Sequence, residues 1–248
     1  MVFGHVYETG RRQCNEDAVL LRSSLFSDGE VVFAAVCDGM GGMEKGAEAS
    51  LFCIGEMELW FDRQLIPLLA KEWKNEGQLK AAIRAKAFWL YRQMNHKLFD
   101  KMRREKRHMG TTALMCLIYR DKYYLFHIGD SRAYRIKRIL ERTVLKQLTK
   151  DHGNERGISR CLGLNREWKP DFLCGSIKKG GILLCTDGFS NQYEKKVWEA
   201  CLNPAGLQDE AAVCRHLKEL AAFDLRKGET DNISALYAGR KMGEKRRM

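Results

Sequence analysis

The chain has 248 residues, 45% of them hydrophobic, and carries 43 Lys+Arg against 32 Asp+Glu for a net charge of +11. That size and apolar content suit one large domain with a substantial core, and no apolar run approaches the roughly 20 residues that span a bilayer. The N-terminus lacks the basic-then-apolar order of a signal peptide, and the 9 cysteines form no C-x-x-C pair, so a reduced, cytoplasmic protein without disulfides or a zinc site is expected.

Taken in chain order, the first polar cluster is Arg11-Arg12-Gln13-Cys14-Asn15-Glu16-Asp17, running into the short apolar strand 18–21. Guanidinium groups grip phosphate or carboxylate through paired hydrogen bonds. On an extended chain Glu16 and Asp17 point to opposite faces, so one can serve a metal and the other the structure. Residues 31–37 are seven consecutive apolar positions, β-branched or small, and read as a fully buried strand. That strand stops at Asp38, followed by Gly39, Met40, Gly41 and Gly42. A carboxylate at the end of a buried strand is costly to ionise without a compensating positive charge. A helix cap at Asp38 is the structural alternative.

Two helical patterns follow. Residues 44 to about 61 carry Ala47, Leu51, Ile54 and Leu59, and residues 78 to about 104 carry Leu79, Ile83, Ala87, Leu90, Met94 and Leu98. Trp60, Phe88, Trp89 and Met94 read as core packing. Cys37, Cys116, Cys174 and Cys185 sit in apolar runs and read as small hydrophobes. Strands are expected over 111–119 and 123–128, joined by a tight hairpin at 120–122, and the second leads to Gly129-Asp130-Ser131-Arg132. Further strands fall at 132–136, 143–148, 171–177 and 181–186, the last meeting Asp187-Gly188. Helices at about 194–201 and 209–223 precede Thr230-Asp231-Asn232 and a closing strand, 233–238. The pattern is an α+β layered domain on antiparallel sheets. Its basic clusters, 101–107 and the tail 241–248, lack the interleaved aromatics of a single-strand binder and read as solvated surface.

Asp38, Asp130, Asp187 and Asp231 all lie at strand boundaries, and with Glu16 they form a candidate cluster of five carboxylates. Like charges gathered in one place repel unless neutralised. Oxygen-only ligands select hard cations, Mg²⁺ or Mn²⁺, and two such ions can activate water for attack on a phosphoester. Arg12 is placed to hold the phosphoryl oxygens. Separate turn carboxylates at a sheet's rim are the bland alternative.

The ordered series R-x-x-N-E-D, D-G-M-G-G, G-T-T, G-D-S-R, T-D-G and D-N-I-S, with L-T-K-D-H and C-L-G between, resembles the type 2C metal-dependent Ser/Thr protein phosphatases across residues 4–239. The resemblance implies two stacked antiparallel β-sheets flanked by helix pairs, an α-β-β-α sandwich, forming one phosphatase domain over residues 1–240 before a basic tail, 241–248. It implies that Asp38 bridges two ions and that the Gly39 carbonyl ligates one. Asp187 and Asp231 complete the first ion's set, and Glu16 holds the second largely through water. Arg12 matches the phosphate-binding arginine, with Arg11 the adjacent alternative, and Asp130 matches a ligand for a weaker third ion shared with Asp187. Gly110, Thr111, Ser131, Asn232 and His152 are expected to be structural. The implied reaction is hydrolysis of phosphoserine or phosphothreonine by metal-bridged hydroxide, without a phosphoenzyme.

Two departures stand out. Met40 occupies the place where many eukaryotic members have a histidine, as in the bacterial-type members, so no imidazole is expected to protonate the leaving group. Between L-T-K-D-H and C-L-G only 153–160 remain of a usually longer flap, with Glu155 its one carboxylate, which puts the third ion in question. The expected partners are phosphorylated proteins, attracted by the positive surface, and a cognate Ser/Thr kinase system. A monomer is expected, with no membrane and nucleic acid disfavoured. The rival readings are a weak or silent phosphatase-like module that binds phosphoproteins, and a nucleic-acid-associated protein suggested by charge alone.

Overall fold

The computed structural model describes residues 1–27, 29–40, 44–106, 108–154 and 157–241. Its elements run β1 (Val2–Glu8), β2 (Asp17–Phe26), β3 (Gly29–Met40), α1 (Glu44–Trp60), a π-turn (Phe61–Leu65), α2 (Ile66–Leu69) and α3 (Glu76–Glu105). Then come β4 (Gly110–Thr111), β5 (Ala113–Tyr119), β6 (Lys122–Ile128), β7 (Arg132–Ile139), β8 (Arg142–Gln147), β9 (Gly153–Asn154), β10 (Gly157–Ile158), β11 (Asp171–Ser176) and β12 (Gly181–Cys185). The chain closes with α4 (Asp187–Ser190), α5 (Lys195–Cys201), α6 (Glu210–Arg226) and β13 (Ile233–Gly239).

The two-residue period of β3 decides the layering. Val31, Phe33, Ala35 and Cys37 pack under α1 and α3, whereas Val32, Ala34 and Val36 face the other sheet. A strand buried on both faces needs no polar alternation, which is why 31–37 is continuously apolar. One sheet has the order β1-β13-β12-β7-β8 and the other β11-β6-β5-β3-β2, with β4 extending the end of β3; every pairing is antiparallel. The inter-sheet layer joins Val32, Leu114 and Leu125 to Ala133, Leu184 and Leu236. On the far side α5 and α6 cover Ile136, Leu183 and Ala235 with Trp198, Val213, Leu217 and Leu220. The α-β-β-α sandwich is therefore present. Fully burying one such aliphatic side chain stabilises by roughly 1.5–3 kcal/mol, so the three layers hold most of the favourable energy.

Several local expectations need correction. The strand does not stop at Asp38; it runs on to Met40 because β4 pairs Gly39 with Thr111 and Met40 with Gly110. In α1 the core face is Ala49, Cys53, Met57 and Trp60, while Leu51 and Leu59 are exposed. Trp89 is not core: it is 50% exposed, although Trp60 and Met94 are buried as expected. Cys174 is exposed on edge strand β11, and all nine cysteines are free. The strand β1, whose Gly4 and His5 obscure its alternation, was not foreseen. Among the described residues no helix is long and apolar enough to cross a membrane. Gly41, Gly42, Glu155 and residues 242–248 of the basic tail lie outside the described residues.

Candidate metal centre

The ladder between β2 and β3 sets Asp17 directly opposite Asp38. Asp38 is then fixed through its backbone from three directions. Its N–H donates to Thr112 Oγ1 at 2.8 Å. Its carbonyl accepts from Thr111 Oγ1 and from the Thr112 N–H, both at 2.9 Å. Thr112 Oγ1 in turn lies 2.7 Å from Ser131 Oγ, so the hydroxyl network reaches the residue after Asp130. Gly39 is required here: a Cβ would fall onto the Gly46 carbonyl and within 2.6 Å of the Glu16 carbonyl oxygen. From the other sheet, β12 ends at Cys185 and Asp187 opens α4, while Asp231 stands just before β13. Asp187 begins a helix and does not end a strand, yet its side chain reaches Asp38 closely enough for the two carboxyls to share a hydrogen bond.

The electrostatics follow from this convergence. Burial pushes the Asp38 carboxyl well above the ordinary carboxylate range, and Asp17, Asp187, Asp130 and Asp231 push it further. Burial, then Asp231, raises Asp187. Burial followed by Asp187 lifts Asp130 to about 6. Burial lifts Asp17 to about 7 even though Thr186 Oγ1 donates to its Oδ2 at 3.0 Å. Glu16 is raised by burial as well. Glu16 Oε1 and Asp130 Oδ1 are buried with no hydrogen-bond partner. A set of oxygen donors that resists ionisation and leaves buried oxygens unpaired fits hard divalent cations, which would supply the missing charge and ligation together. Glu16, Asp38, the Gly39 carbonyl, Asp187 and Asp231, with Asp130 beside them, are the ligands the sequence reading names for such ions.

The loop before β2 is tied to the far end of the chain. Asn232 accepts from the Glu16 N–H at 2.8 Å and donates to the carbonyls of Thr9 at 2.8 Å and Cys14 at 3.0 Å. Arg12 Nη2 donates to Asp231 Oδ2 at 2.8 Å, which raises the guanidinium's affinity for its proton. Arg11 turns elsewhere, donating to the Leu225 carbonyl at 3.0 Å, so Arg12 is the arginine at the cluster.

Asp130, Asp187 and Asp231 lie near enough to Asp38 to shift its carboxyl, Arg12 reaches Asp231, and Asn232 ties Glu16 to them. Among the described residues, however, no three of these acids bring their oxygens together around one point. Other residues join them unforeseen. Asp17 is buried in the cluster, as the opposite-face reading of Glu16 and Asp17 anticipated for a structural partner, but its coupling to Asp38 depends on strand register. Thr112 carries more of the positioning of Asp38 than Gly110 does. His152 clamps Gly129: its backbone N–H donates to the Gly129 carbonyl at 2.8 Å, and its Nδ1 accepts from the Gly129 N–H at 3.1 Å. His152 Nε2 meets Asp171 Oδ2 at 3.0 Å, which orients the imidazole and sets its tautomer.

A sequence model described as protein phosphatase 2C matches residues 8–223. The chain belongs to the protein phosphatase 2C family. Within that family it is 25% identical to the serine/threonine phosphatase stp of Listeria welshimeri over 242 residues, covering 86% of each chain. It is 30% identical over 249 aligned positions to the serine/threonine protein phosphatase PstP of Mycobacterium tuberculosis, covering 92% of this chain and 42% of that longer relative. The catalytic domain of a PstP, solved in complex with two manganese ions, superposes with a TM-score of 0.70 at 26% identity, covering 95% of this chain and 96% of that one. Stp1 from Staphylococcus aureus shares the fold at a TM-score of 0.75 and 21% identity, over 97% of this chain and 95% of that one.

Proposed function

We propose that this protein phosphatase 2C member is a Mg²⁺- or Mn²⁺-dependent enzyme that hydrolyses phosphoserine and phosphothreonine in proteins, in the cytoplasm, opposing a Ser/Thr kinase. The observation that carries this reading is the meeting of Asp38 and Asp187 from opposite sheets, ringed by Asp17, Asp130 and Asp231. Glu16, Asp38, Asp130, Asp187 and Asp231 are all retained in the chain, which speaks against a silent binding module. The domain is assigned to residues 1–240, with 241–248 an appended basic tail. Free thiols throughout suit a reducing compartment.

Bound ions of this kind lower the pKa of water and neutralise a phosphoryl group. The chain's own residues do the rest. Thr111, Thr112 and Ser131 hold Asp38 in place, so its oxygens need no reorganisation. Asn232 fixes the loop that carries Arg12 and Glu16, and Arg12 supplies a two-pronged grip for phosphoryl oxygens. Met40 follows Gly39, so at that place the departing alkoxide has no imidazole from which to draw a proton.

The test is hydrolysis of a phosphothreonine peptide with Mn²⁺, with EDTA, and in Asp38→Asn and Asp231→Asn. Chelation and each substitution should lower turnover by at least about 100-fold. Turnover that survives EDTA or Asp38→Asn would overturn the reading.

A further inference from the structure

The segment between Gly163 and β11 folds back over α3. Asn95 Nδ2 donates to the carbonyls of Asn165 at 2.8 Å and Arg166 at 2.9 Å, and the Gly163 N–H donates to Asn95 Oδ1 at 2.9 Å. Between that segment and the helix lies a groove of about 740 Å³, a size typical of binding clefts. Its lining combines Trp89 and Trp168 with Arg92, Arg160, Arg166 and Lys169, against Glu167 as the one acid. Two features mark it as built for a ligand. Trp89 leaves half its surface in water, the large apolar side chain of α3 that stands exposed while Leu79, Ile83, Leu90, Met94 and Leu98 are buried. Arg92, Arg166 and Lys169 form no ion pair among the described residues.

The Arg160 guanidinium lies 5.5 Å over the Trp168 ring and donates to the Lys169 carbonyl at 2.6 Å. The same guanidinium is 3.1 Å from His152 Nε2 and 3.4 Å from Asp171 Oδ1. His152 holds Gly129, the neighbour of Asp130. The groove is thus joined to the carboxylate cluster by an unbroken chain of contacts.

Resting on the phosphatase reading, we propose that this groove docks an acidic segment of the phosphoprotein substrate, anchored by an apolar side chain and lying outside the phosphorylated residue. Aromatic walls take the anchor and unpaired arginines take the carboxylates. Only two rings are offered, from different elements, not the row of stacking platforms that follows a nucleic acid strand.

The experiment titrates a non-phosphorylated Asp/Glu-rich peptide containing one Leu and one Phe into the full chain, read by tryptophan fluorescence. In parallel, with Mn²⁺, it compares three substrates: a phosphothreonine core peptide, the same core extended by that segment, and p-nitrophenyl phosphate. The variants are Trp89→Ala and the double substitution Arg92→Glu/Arg166→Glu, at exposed side chains. Docking predicts about tenfold weaker peptide binding in each variant and about tenfold higher KM for the extended peptide alone, the core peptide and p-nitrophenyl phosphate being unchanged. The proposal falls if the acidic segment binds no tighter than a Ser/Gly-rich control, if the variants slow all three substrates alike, or if poly(U) displaces the peptide. Failed docking with intact p-nitrophenyl phosphate hydrolysis sinks the groove alone. Intact docking without any hydrolysis sinks the phosphatase reading.

Discussion

Asp38 and Asp187 cannot both be ionised at contact distance without a cation, and their neighbours make the conflict worse. The sign of the resulting pH dependence is set by the direction of the shifts. Asp130, lifted to about 6, and Asp17, lifted to about 7, bind their protons more tightly in the folded metal-free protein than in the unfolded chain, where a carboxyl titrates near pH 4. Their contribution to stability is therefore complete below about pH 4 and is lost as the pH rises through about 6 and 7. In EDTA the Tm should fall between about pH 5.5 and about pH 8, and saturating Mn²⁺ should abolish the fall. A Tm in EDTA that climbs over that interval would contradict the cluster. The legible part of this site was its carboxylates, because an acid closing an apolar run is conspicuous in a sequence. Thr112, and the pairing of Asp17 with Asp38, were not legible, because both depend on which residues stand opposite across a ladder.

At the scale of elements, α3 was readable since Leu79, Ile83, Ala87, Leu90, Met94 and Leu98 keep one helical stripe, all of them buried. In α1 the stripe was misassigned in part: Ile54 is buried as expected, but Cys53 and Met57 hold the core while Leu51 and Leu59 stay in solvent, so hydrophobicity alone blurred the face. The groove was hidden for the same reason, as an exposed tryptophan in an amphipathic helix looks like core. Helix α6 contains a separate tension. Asp224 is fully buried, both its carboxyl oxygens lack a partner, and burial with the nearby Glu229 lifts it to about 7. The unfolded carboxyl titrates near pH 4, so the contribution of the protonated group to stability is complete below about pH 4 and is lost as the pH rises to about 7. Asp224→Asn removes the ionisation, so its effect on stability should be more favourable at about pH 8 than at about pH 4 by on the order of 2 kcal/mol. Urea melts at the two pH values check this, and an equal gain at both would show that charge is not the cause.

For the whole molecule, the carboxylates matter because they come from both sheets: Asp38 from one, Asp187 and Asp231 from the other, with Asp130 on the turn that crosses between them. Ions held between them would clasp the sandwich at one end. Mn²⁺ should therefore slow amide hydrogen exchange in β3 and in β12 and β13 together, with little change in β8 at the sheet's edge. Protection confined to one sheet would refute the clasp. The same end of the molecule is where the chain meets itself. Asn232 reaches Thr9, Cys14 and Glu16, Arg12 reaches Asp231 across 219 residues, and β1 pairs along its length with β13. Contacts so distant in sequence form late. In terms of biosynthesis, a nascent chain short of residue 231 lacks the partner of Arg12 and the clamp on Glu16, however well its middle has folded. The ribosome must release the last strand before the first can be put to use, so a truncated product is born without the chemistry.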